Sequence, residues 1–162
     1  ASAPSAAVAA HPAQPMPADT PQAALAESAE ASPPQPVPLH VLVVDDNAVN
    51  RALAVAMLEL IGAQVSQAVD GLQALDTLAS KPFDLVLMDW QMPGLDGLET
   101  TRRWRRQEAL RASRRVMIAG VTANASAADE AACRDAGMDA FLPKPFTLEG
   151  LKALLARAAQ GV

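Results

Sequence analysis

The chain alternates between short apolar runs and longer segments in which apolar residues recur every three or four positions. Short apolar runs bounded by polar residues, Gly or Pro are typical of buried strands, and the three-to-four spacing is typical of helices that bury one face. From Leu39 onward this pattern predicts five strands and five helices in alternation. The predicted strands cover residues 39–44, 64–68, 84–88, 116–121 and 140–142, and the predicted helices cover 48–61, 71–80, 96–108, 126–136 and 148–159.

Strands that alternate with helices favour a parallel sheet, because each helix carries the chain back to the end of the sheet where the next strand begins. The right-handedness of such connections leaves few ways to arrange the strands. We therefore expect a doubly wound α/β fold, with a five-stranded parallel sheet between two layers of helices.

The first 38 residues have a different composition, with nine of the 13 prolines, 13 alanines and no Lys or Arg. They carry too few large apolar side chains to offset the entropy lost on ordering. We predict a Pro/Ala-rich flexible linker over residues 1–38 and one domain over residues 39–162. The linker contributes −3 of the net charge of −5, so the domain is nearly balanced in charge, which argues against a nucleic-acid partner.

Seven arginines cluster in the third predicted helix and the loop after it, and we interpret them as a solvated face. Only one aromatic residue, Trp104, lies near enough to stack on a base, and its spacing from Leu98 predicts a core position. Gly120 lies within the fourth strand and is expected to loosen it. The single cysteine, Cys133, excludes an internal disulfide, and no apolar run approaches the ~18 residues of a membrane span. The arginines are Arg102, Arg103, Arg105, Arg106, Arg111, Arg114 and Arg115.

Reactive side chains follow four of the predicted strands. Asp45 and Asp46 follow the first, Asp89 the third, Thr122 the fourth and Lys144 the fifth. Because the carboxyl ends of parallel strands share one edge of the sheet, we expect these side chains in one pocket. Three carboxylates repel unless a cation joins them, and Mg²⁺ prefers oxygen ligands. A lysine and a hydroxyl beside them suit a phosphoryl group, so the pattern indicates an aspartyl-phosphate site with bound Mg²⁺.

Four motifs carry a family resemblance: Val-Val-Asp-Asp-Asn at 43–47, Met-Asp-Trp-Gln-Met-Pro-Gly-Leu-Asp-Gly at 88–97, Thr-Ala-Asn-Ala at 122–125 and Phe-Leu-Pro-Lys-Pro-Phe at 141–146. In this order they resemble the receiver domain of two-component signalling proteins, over residues 39–160. The resemblance implies a flavodoxin-like (βα)5 sheet in the order 2-1-3-4-5. The segments 45–51 and 136–141 are similar to receivers of hybrid sensor histidine kinases, which implies such a kinase as the parent protein.

The resemblance also implies a role for each site residue. Asp89 accepts the phosphoryl group, and Lys144 pairs first with Asp89 and then with the phosphoryl oxygens. Asp46, Asp89 and the backbone carbonyl of Gln91 ligate Mg²⁺, and Asp45 acts on the ion largely through water.

Two further positions match the residues that switch in the family. Thr122 bonds a phosphoryl oxygen, and Phe141 lies at the aromatic position where the family often has Tyr. Their movement is expected to change the surface of the fourth helix, fifth strand and fifth helix. The family also places a cis peptide bond at a position matched by Lys144–Pro145.

The implied partners are a histidine kinase core, a histidine phosphotransfer domain, or both, and we expect a monomer that contacts neither nucleic acid nor membrane. A cytoplasmic location is expected, with a parent protein anchored in the membrane. No kinase ATP-site motif is present, so the expected chemistry is limited to self-catalysed phosphotransfer onto Asp89 and hydrolysis of the product.

Two other functions remain open. A stand-alone response regulator fits the same motifs. A metal-dependent aspartyl phosphatase of the haloacid-dehalogenase type shares the chemistry, but needs Asp-x-Asp after the first strand. Here Asn47 stands two residues after Asp45, so no general acid lies at that spacing. A receiver that only docks would be expected to lack Asp89 or Lys144, and both are present.

Overall fold

The computed structural model describes residues 36–161, in which five strands alternate with five helices. The linker predicted for residues 1–38 lies outside the described residues, apart from its last three. The strands are β1 (His40–Val44), β2 (Gln64–Ala68), β3 (Leu85–Asp89), β4 (Met117–Thr122) and β5 (Ala140–Pro143). The helices are α1 (Ala48–Ile61), α2 (Gly71–Ser80), α3 (Gly97–Arg111), α4 (Ala127–Ala136) and α5 (Leu148–Gln160).

The strands form one parallel sheet in the order β2-β1-β3-β4-β5, which confirms the predicted flavodoxin-like topology. β1 and β3 are neighbours, and their register pairs Val44 with Met88. Asp45 and Asp89 each come one residue after this pair, so the sheet itself brings the two carboxylates side by side.

Alternation along the strands divides the core into two layers. Residues on one face of the sheet pack against α1 and α5, where Leu58 and Leu151 are fully buried. Residues on the other face pack against α2, α3 and α4, where Leu78, Trp104 and Cys133 are buried, so the core position predicted for Trp104 is confirmed. Both faces of the sheet are covered, as a doubly wound fold requires.

A capping side chain begins each of the five described helices by accepting a hydrogen bond from a backbone N–H of the first turn. Ser126 belongs to a full capping box with Asp129, so α4 starts at Ala127, one residue later than predicted. Each helix follows a strand, so all five caps lie at the edge of the sheet where the strands end. The caps are Asn47, Asp70, Asp96, Ser126 and Thr147.

The arginine-rich face of α3 was expected to be solvated, and for Arg105 that expectation is wrong. Only 12% of its side chain is exposed, and its guanidinium pairs with Glu108 at 2.7 Å and with Asp139 at 2.6 Å. It also donates to the carbonyl oxygens of Gly137 and Val116. The interior polar groups that attract Arg105 come from distant segments, which the local sequence of α3 does not reveal.

Gly120 leaves no gap beside β4. A Cβ at this position would lie 2.6 Å from the sulfur of Met138 and 3.2 Å from that of Cys133. The space beside the glycine is therefore filled by side chains from α4 and the turn after it.

None of the helices in residues 36–161 is both long enough and apolar enough to cross a bilayer.

Candidate functional site

Three carboxylates meet at the carboxyl edge of the sheet. Oxygen atoms of Asp45, Asp46 and Asp89 all lie within 4.8 Å of one another. Asp45 and Asp89 are buried, with 6% of each residue exposed, whereas Asp46 is exposed. The cluster borders a cavity of about 230 Å³ that is also lined by Gln91, Thr122 and Lys144, so the structure brings together all the residues predicted for the acidic pocket.

The sequence pattern predicts Asp89 as the first residue after the third strand. In the structure Asp89 is the last residue of β3. The backbone on either side is fixed, because the N–H of Trp90 donates to the carbonyl of Val121 at 3.0 Å. The N–H of Gly97 donates to the carbonyl of Trp90 at 3.1 Å, which closes the loop between β3 and α3. A side chain at Gly97 would overlap the carbonyl oxygen of Asp89, so this close approach requires glycine.

Lys144 joins the two buried carboxylates. Its Nζ lies 3.1 Å from Oδ1 of Asp89 and 3.2 Å from Oδ2 of Asp45. The peptide bond between Lys144 and Pro145 is cis, which confirms the prediction made from the family. The ammonium group of Lys144 is the positively charged partner of both buried carboxylates.

The electrostatics of the pair follow from burial and mutual contact. Burial raises the pKa of the Asp89 carboxyl and the charge of Asp45 adds to the rise, while Lys144 and the Gln91 amide oppose it. Burial by itself would lower the pKa of Lys144, but hydrogen bonds and charge from Asp89 and Asp45 outweigh it and raise that pKa. Lys144 therefore stays charged at neutral pH.

Thr122 ends β4 and is buried, with 5% of the residue exposed. Its Oγ1 bonds the backbone of Asn124 at 3.2 Å, so the hydroxyl lies in a local turn at the rim of the acidic cavity. Its carbonyl accepts a 2.7 Å hydrogen bond from the N–H of Lys144, which ties the fourth strand end to the lysine. The cap of α4 is Ser126, so capping does not explain Thr122.

Phe141, the predicted switch residue, lies away from the acids. It pairs with Gly120 across β4 and β5, is partly buried, and packs on the layer of α2, α3 and α4. Alternation along β4 puts Thr122 and Gly120 on this same face, so Thr122 lines the acidic cavity on the face of the sheet that carries Phe141.

Two residues at the start of α1 hold the acidic turn: Asn47, whose role as the cap of this helix the sequence predicts, and Arg51, whose role it does not. The Asn47 N–H donates to Oδ1 of Asp45 at 2.8 Å while its side chain caps α1. Arg51 donates from one guanidinium nitrogen to the carbonyl oxygens of both Asp45 and Asp46. The motif at 45–51 contained both residues, but nothing in its spacing shows that Arg51 turns back onto the strand end.

The donor set fits a hard divalent cation. Three carboxylates offer oxygens within one ion's reach, and the exposed Asp46 leaves the cluster open to water, as Mg²⁺ prefers. Burial is the main cause of the raised pKa of the Asp89 carboxyl, the charge of Asp45 adds to it, and Lys144 opposes it. Bound Mg²⁺ would supply further positive charge.

Comparison with known proteins agrees with the fold. The model of the response regulator receiver domain matches residues 41–156. The chain is 41% identical over 124 residues to the sensor histidine kinase RcsC of Salmonella typhi, which covers 76% of the chain and 13% of the kinase. The chain thus spans about an eighth of the length of this relative.

Two solved structures illustrate the likeness. One is the receiver domain of the sensor histidine kinase PA1611 from Pseudomonas aeruginosa, with magnesium in its active-site cleft. It is 38% identical, with a TM-score of 0.69 over 77% of this chain and 100% of the other. The second is the Saccharomyces cerevisiae receiver domain of Ssk1 in complex with the phosphotransfer protein Ypd1, 25% identical, with a TM-score of 0.72 over 77% of this chain and 92% of the other.

The chain belongs to the response regulator receiver family. It is a receiver domain of the kind found in two-component phosphorelays, including those of sensor histidine kinases.

Proposed function

We propose that Asp89 accepts a phosphoryl group from a phosphohistidine, with Mg²⁺ held by Asp46, Asp89 and the carbonyl of Gln91, and with Asp45 acting on the ion mainly through water. The observation that carries this proposal is the position of Asp89, which is buried at a strand end, bonded to Lys144 and within reach of two more carboxylates.

In this reaction a carboxylate oxygen of Asp89 forms the new P–O bond as the P–N bond of the donor breaks. The electron pair of that bond stays with the imidazole that leaves. Lys144 already contacts Asp89 and can pair with a phosphoryl oxygen, and the Thr122 hydroxyl can turn from Asn124 to donate to another. Bound Mg²⁺ supplies positive charge against the phosphoryl oxygens.

The transfer is tested with acetyl phosphate and Mg²⁺, followed by intact-mass measurement. The wild-type chain should gain the mass of one phosphoryl group, and Asp89→Asn should gain none. Asp76→Asn, which removes an exposed carboxylate on α2, should behave as wild type. A full mass gain in Asp89→Asn would reject the assignment.

We further propose that the protein donor docks on α1. Three apolar side chains of this helix point to solvent: Val49 is 75% exposed, Leu53 56% and Leu60 77%. The first two lie within two turns of the acidic turn, where a donor histidine must reach Asp89. A histidine kinase core or a phosphotransfer domain of the kind that Ypd1 represents would cover them.

Leu53→Glu tests the docking face. With phosphorylated Ypd1 as donor, transfer should slow in this variant, while labelling by acetyl phosphate should match wild type. Leu110→Glu, at an 88% exposed position near the end of α3, is the control and should change neither rate. Equal slowing by both variants would argue against α1 as the docking face.

We propose that the domain is part of a hybrid sensor histidine kinase, on the basis of its identity to RcsC. A stand-alone regulator remains the alternative. The aspartyl phosphatase is disfavoured because Asn47 and Gln91 stand two residues after Asp45 and Asp89, where that enzyme needs a second acid.

A further inference from the structure

Asp45 is held at every polar atom. Its N–H donates to the carbonyl of Ala68 at 3.2 Å, and its carbonyl oxygen accepts from Arg51 at 2.9 Å. Its two carboxylate oxygens accept from the N–H of Asn47 at 2.8 Å and from Lys144 at 3.2 Å. Asp46 is held only by its backbone: its carbonyl oxygen accepts from Arg51 at 3.3 Å, and its exposed side chain has no hydrogen-bond partner among residues 36–161.

Among residues 36–161, Arg51 is the one side chain that hydrogen-bonds to both residues of this acidic turn. Its backbone N–H makes a first-turn bond of α1, to the carbonyl of Asn47 at 3.0 Å, and its side chain then folds back toward the strand end. A single nitrogen, Nη1, bridges the two successive carbonyls. The guanidinium therefore fixes the peptide planes from which both carboxylates project.

The side chain keeps this position although one of its own donors is unsatisfied. Nε of Arg51 is buried and has no acceptor within the described part of the chain. A buried N–H without an acceptor destabilises a fold, and such a group calls for an explanation in function or packing. The position that leaves Nε without an acceptor is the one that lets Nη1 bond the carbonyl oxygens of Asp45 and Asp46.

We propose that Arg51 is a positioning residue for the cation site: it holds the Asp45–Asp46 turn in the geometry that presents both carboxylates to Mg²⁺. It acts on the site of the proposed function and contacts neither the ion nor the phosphoryl group. Groups that orient metal ligands without touching the metal commonly change metal affinity by 10- to 100-fold.

Positioning and simple charge predict opposite results. Arg51 is a cation beside a cation site, so by Coulomb's law its removal should strengthen Mg²⁺ binding. If it positions the carboxylates, its removal should weaken binding. We expect Arg51→Gln to raise the Kd for Mg²⁺ about tenfold, and Arg51→Lys, which keeps the charge but lacks the planar fork, to fall between it and wild type.

Two controls separate this effect from others. Arg103→Gln removes a positive charge from the exposed face of α3, away from the acids. Ala56→Gly, at an exposed position of α1, weakens this helix by about 1 kcal/mol and lies more than two turns beyond Asp46. Both should leave the Mg²⁺ affinity, measured by titration calorimetry, close to that of wild type.

A second measurement does not need the metal. In the metal-free protein, hydrogen exchange at the Asn47 amide reports the bond to Asp45, and Arg51→Gln should speed it relative to Ala56→Gly. An unchanged or tighter Mg²⁺ affinity in Arg51→Gln, with unchanged exchange at Asn47, would overturn the role of Arg51. If wild type itself fails to bind Mg²⁺, the proposed metal site fails, and the exchange rate at Asn47 alone decides whether Arg51 holds the turn.

Discussion

Arg105 and Asp139 form a 2.6 Å ion pair across 34 residues of sequence, and at most 12% of either side chain is exposed. Asp139 also accepts from the N–H of Ile118 at 2.9 Å and from Arg115 at 2.8 Å. The pair thus fastens α3 to the start of β4 and to the turn between α4 and β5. These contacts lie at the edge of the sheet opposite Asp89. Asp139, which makes them, is two residues before the proposed switch residue Phe141.

Breaking this pair should be costly. Arg105→Leu leaves Asp139 and Glu108 buried with fewer partners, and we expect the free energy of unfolding to fall by about 3 kcal/mol, the low end for a broken buried pair because Arg115 still contacts Asp139. Chemical denaturation measures this. Arg103→Leu removes a solvent-exposed pair with Glu99 and should lower the free energy of unfolding much less. Similar losses in both variants would contradict the structural role assigned to Arg105.

Gly97→Ala should disturb the end of β3. The added methyl would overlap the carbonyl oxygen of Asp89 and lie 3.0 Å from Cγ of Met88, so we expect a loss of about 1–3 kcal/mol and slower labelling by acetyl phosphate. Gly94→Ala is the matched control in the same loop. Its φ of +79° is strained for alanine, but no atom lies within 4 Å of the new Cβ, so stability should fall while labelling persists. Normal labelling of Gly97→Ala would show that the close approach is not needed for chemistry.

The acidic pocket should make stability depend on pH in the metal-free protein. Burial raises the pKa of Asp89 above its usual value of 3.8, so the folded state binds this proton more tightly than the unfolded state. Stability is then lost as pH rises from that usual value through the raised pKa. Asp89→Asn removes the loss, and its melting temperature relative to wild type should increase with pH.

The measurement is a series of thermal melts with a chelator present, which starts at about pH 4, near the ordinary pKa of an aspartate, and continues to about pH 7. Effects of Asp89→Asn that do not depend on protonation change the melting-temperature difference by the same amount at every pH. The slope of this difference with pH is therefore the test. Asp76→Asn controls for the loss of one surface charge. A melting-temperature difference between Asp89→Asn and wild type that shrinks as pH rises would contradict the raised pKa of Asp89.

The proposed switch depends on the hydroxyl of Thr122. In wild type, beryllofluoride with Mg²⁺ should shift the NMR resonances of Phe141 and of α4, because Thr122 lines the acidic cavity and lies on the same face of the sheet as both. Thr122→Ser keeps the hydroxyl and should keep the shifts. Thr122→Ala should lose them at Phe141 while still binding Mg²⁺, and shifts that persist there would make Phe141 an ordinary core residue.

Much of the fold can be predicted from the sequence, because the spacing of apolar residues determines the helices and strands, and the parallel topology determines how they are arranged. The order of elements follows from apolar spacing, and the parallel sheet then forces Asp45 and Asp89 together whatever the loops do. The bounds moved by only one to three residues, at positions such as Ser126 where a cap, rather than an apolar pattern, decides where the helix starts.

What could not be predicted depends on contacts between distant segments. The local sequence predicts a solvated position for Arg105 and gives no position for the side chain of Arg51, yet each donates to carbonyl groups that the tertiary structure supplies. Gly120 read as a weak point because the sequence does not show that Met138 fills the space beside it. Charged side chains and glycines do not follow a regular spacing along the sequence, so their contacts are known only once the fold is packed.

The five capped helix starts have an electrostatic consequence. Each helix carries a macrodipole with roughly half a positive charge at its amino end, and in this fold every amino end lies at the same edge as Asp89. The peptide backbone therefore polarises the whole domain along the strands, with its positive end at the acids. This electric field favours the approach of a phosphoryl anion. Because the backbone creates the field, substitutions of single side chains should leave it largely unchanged.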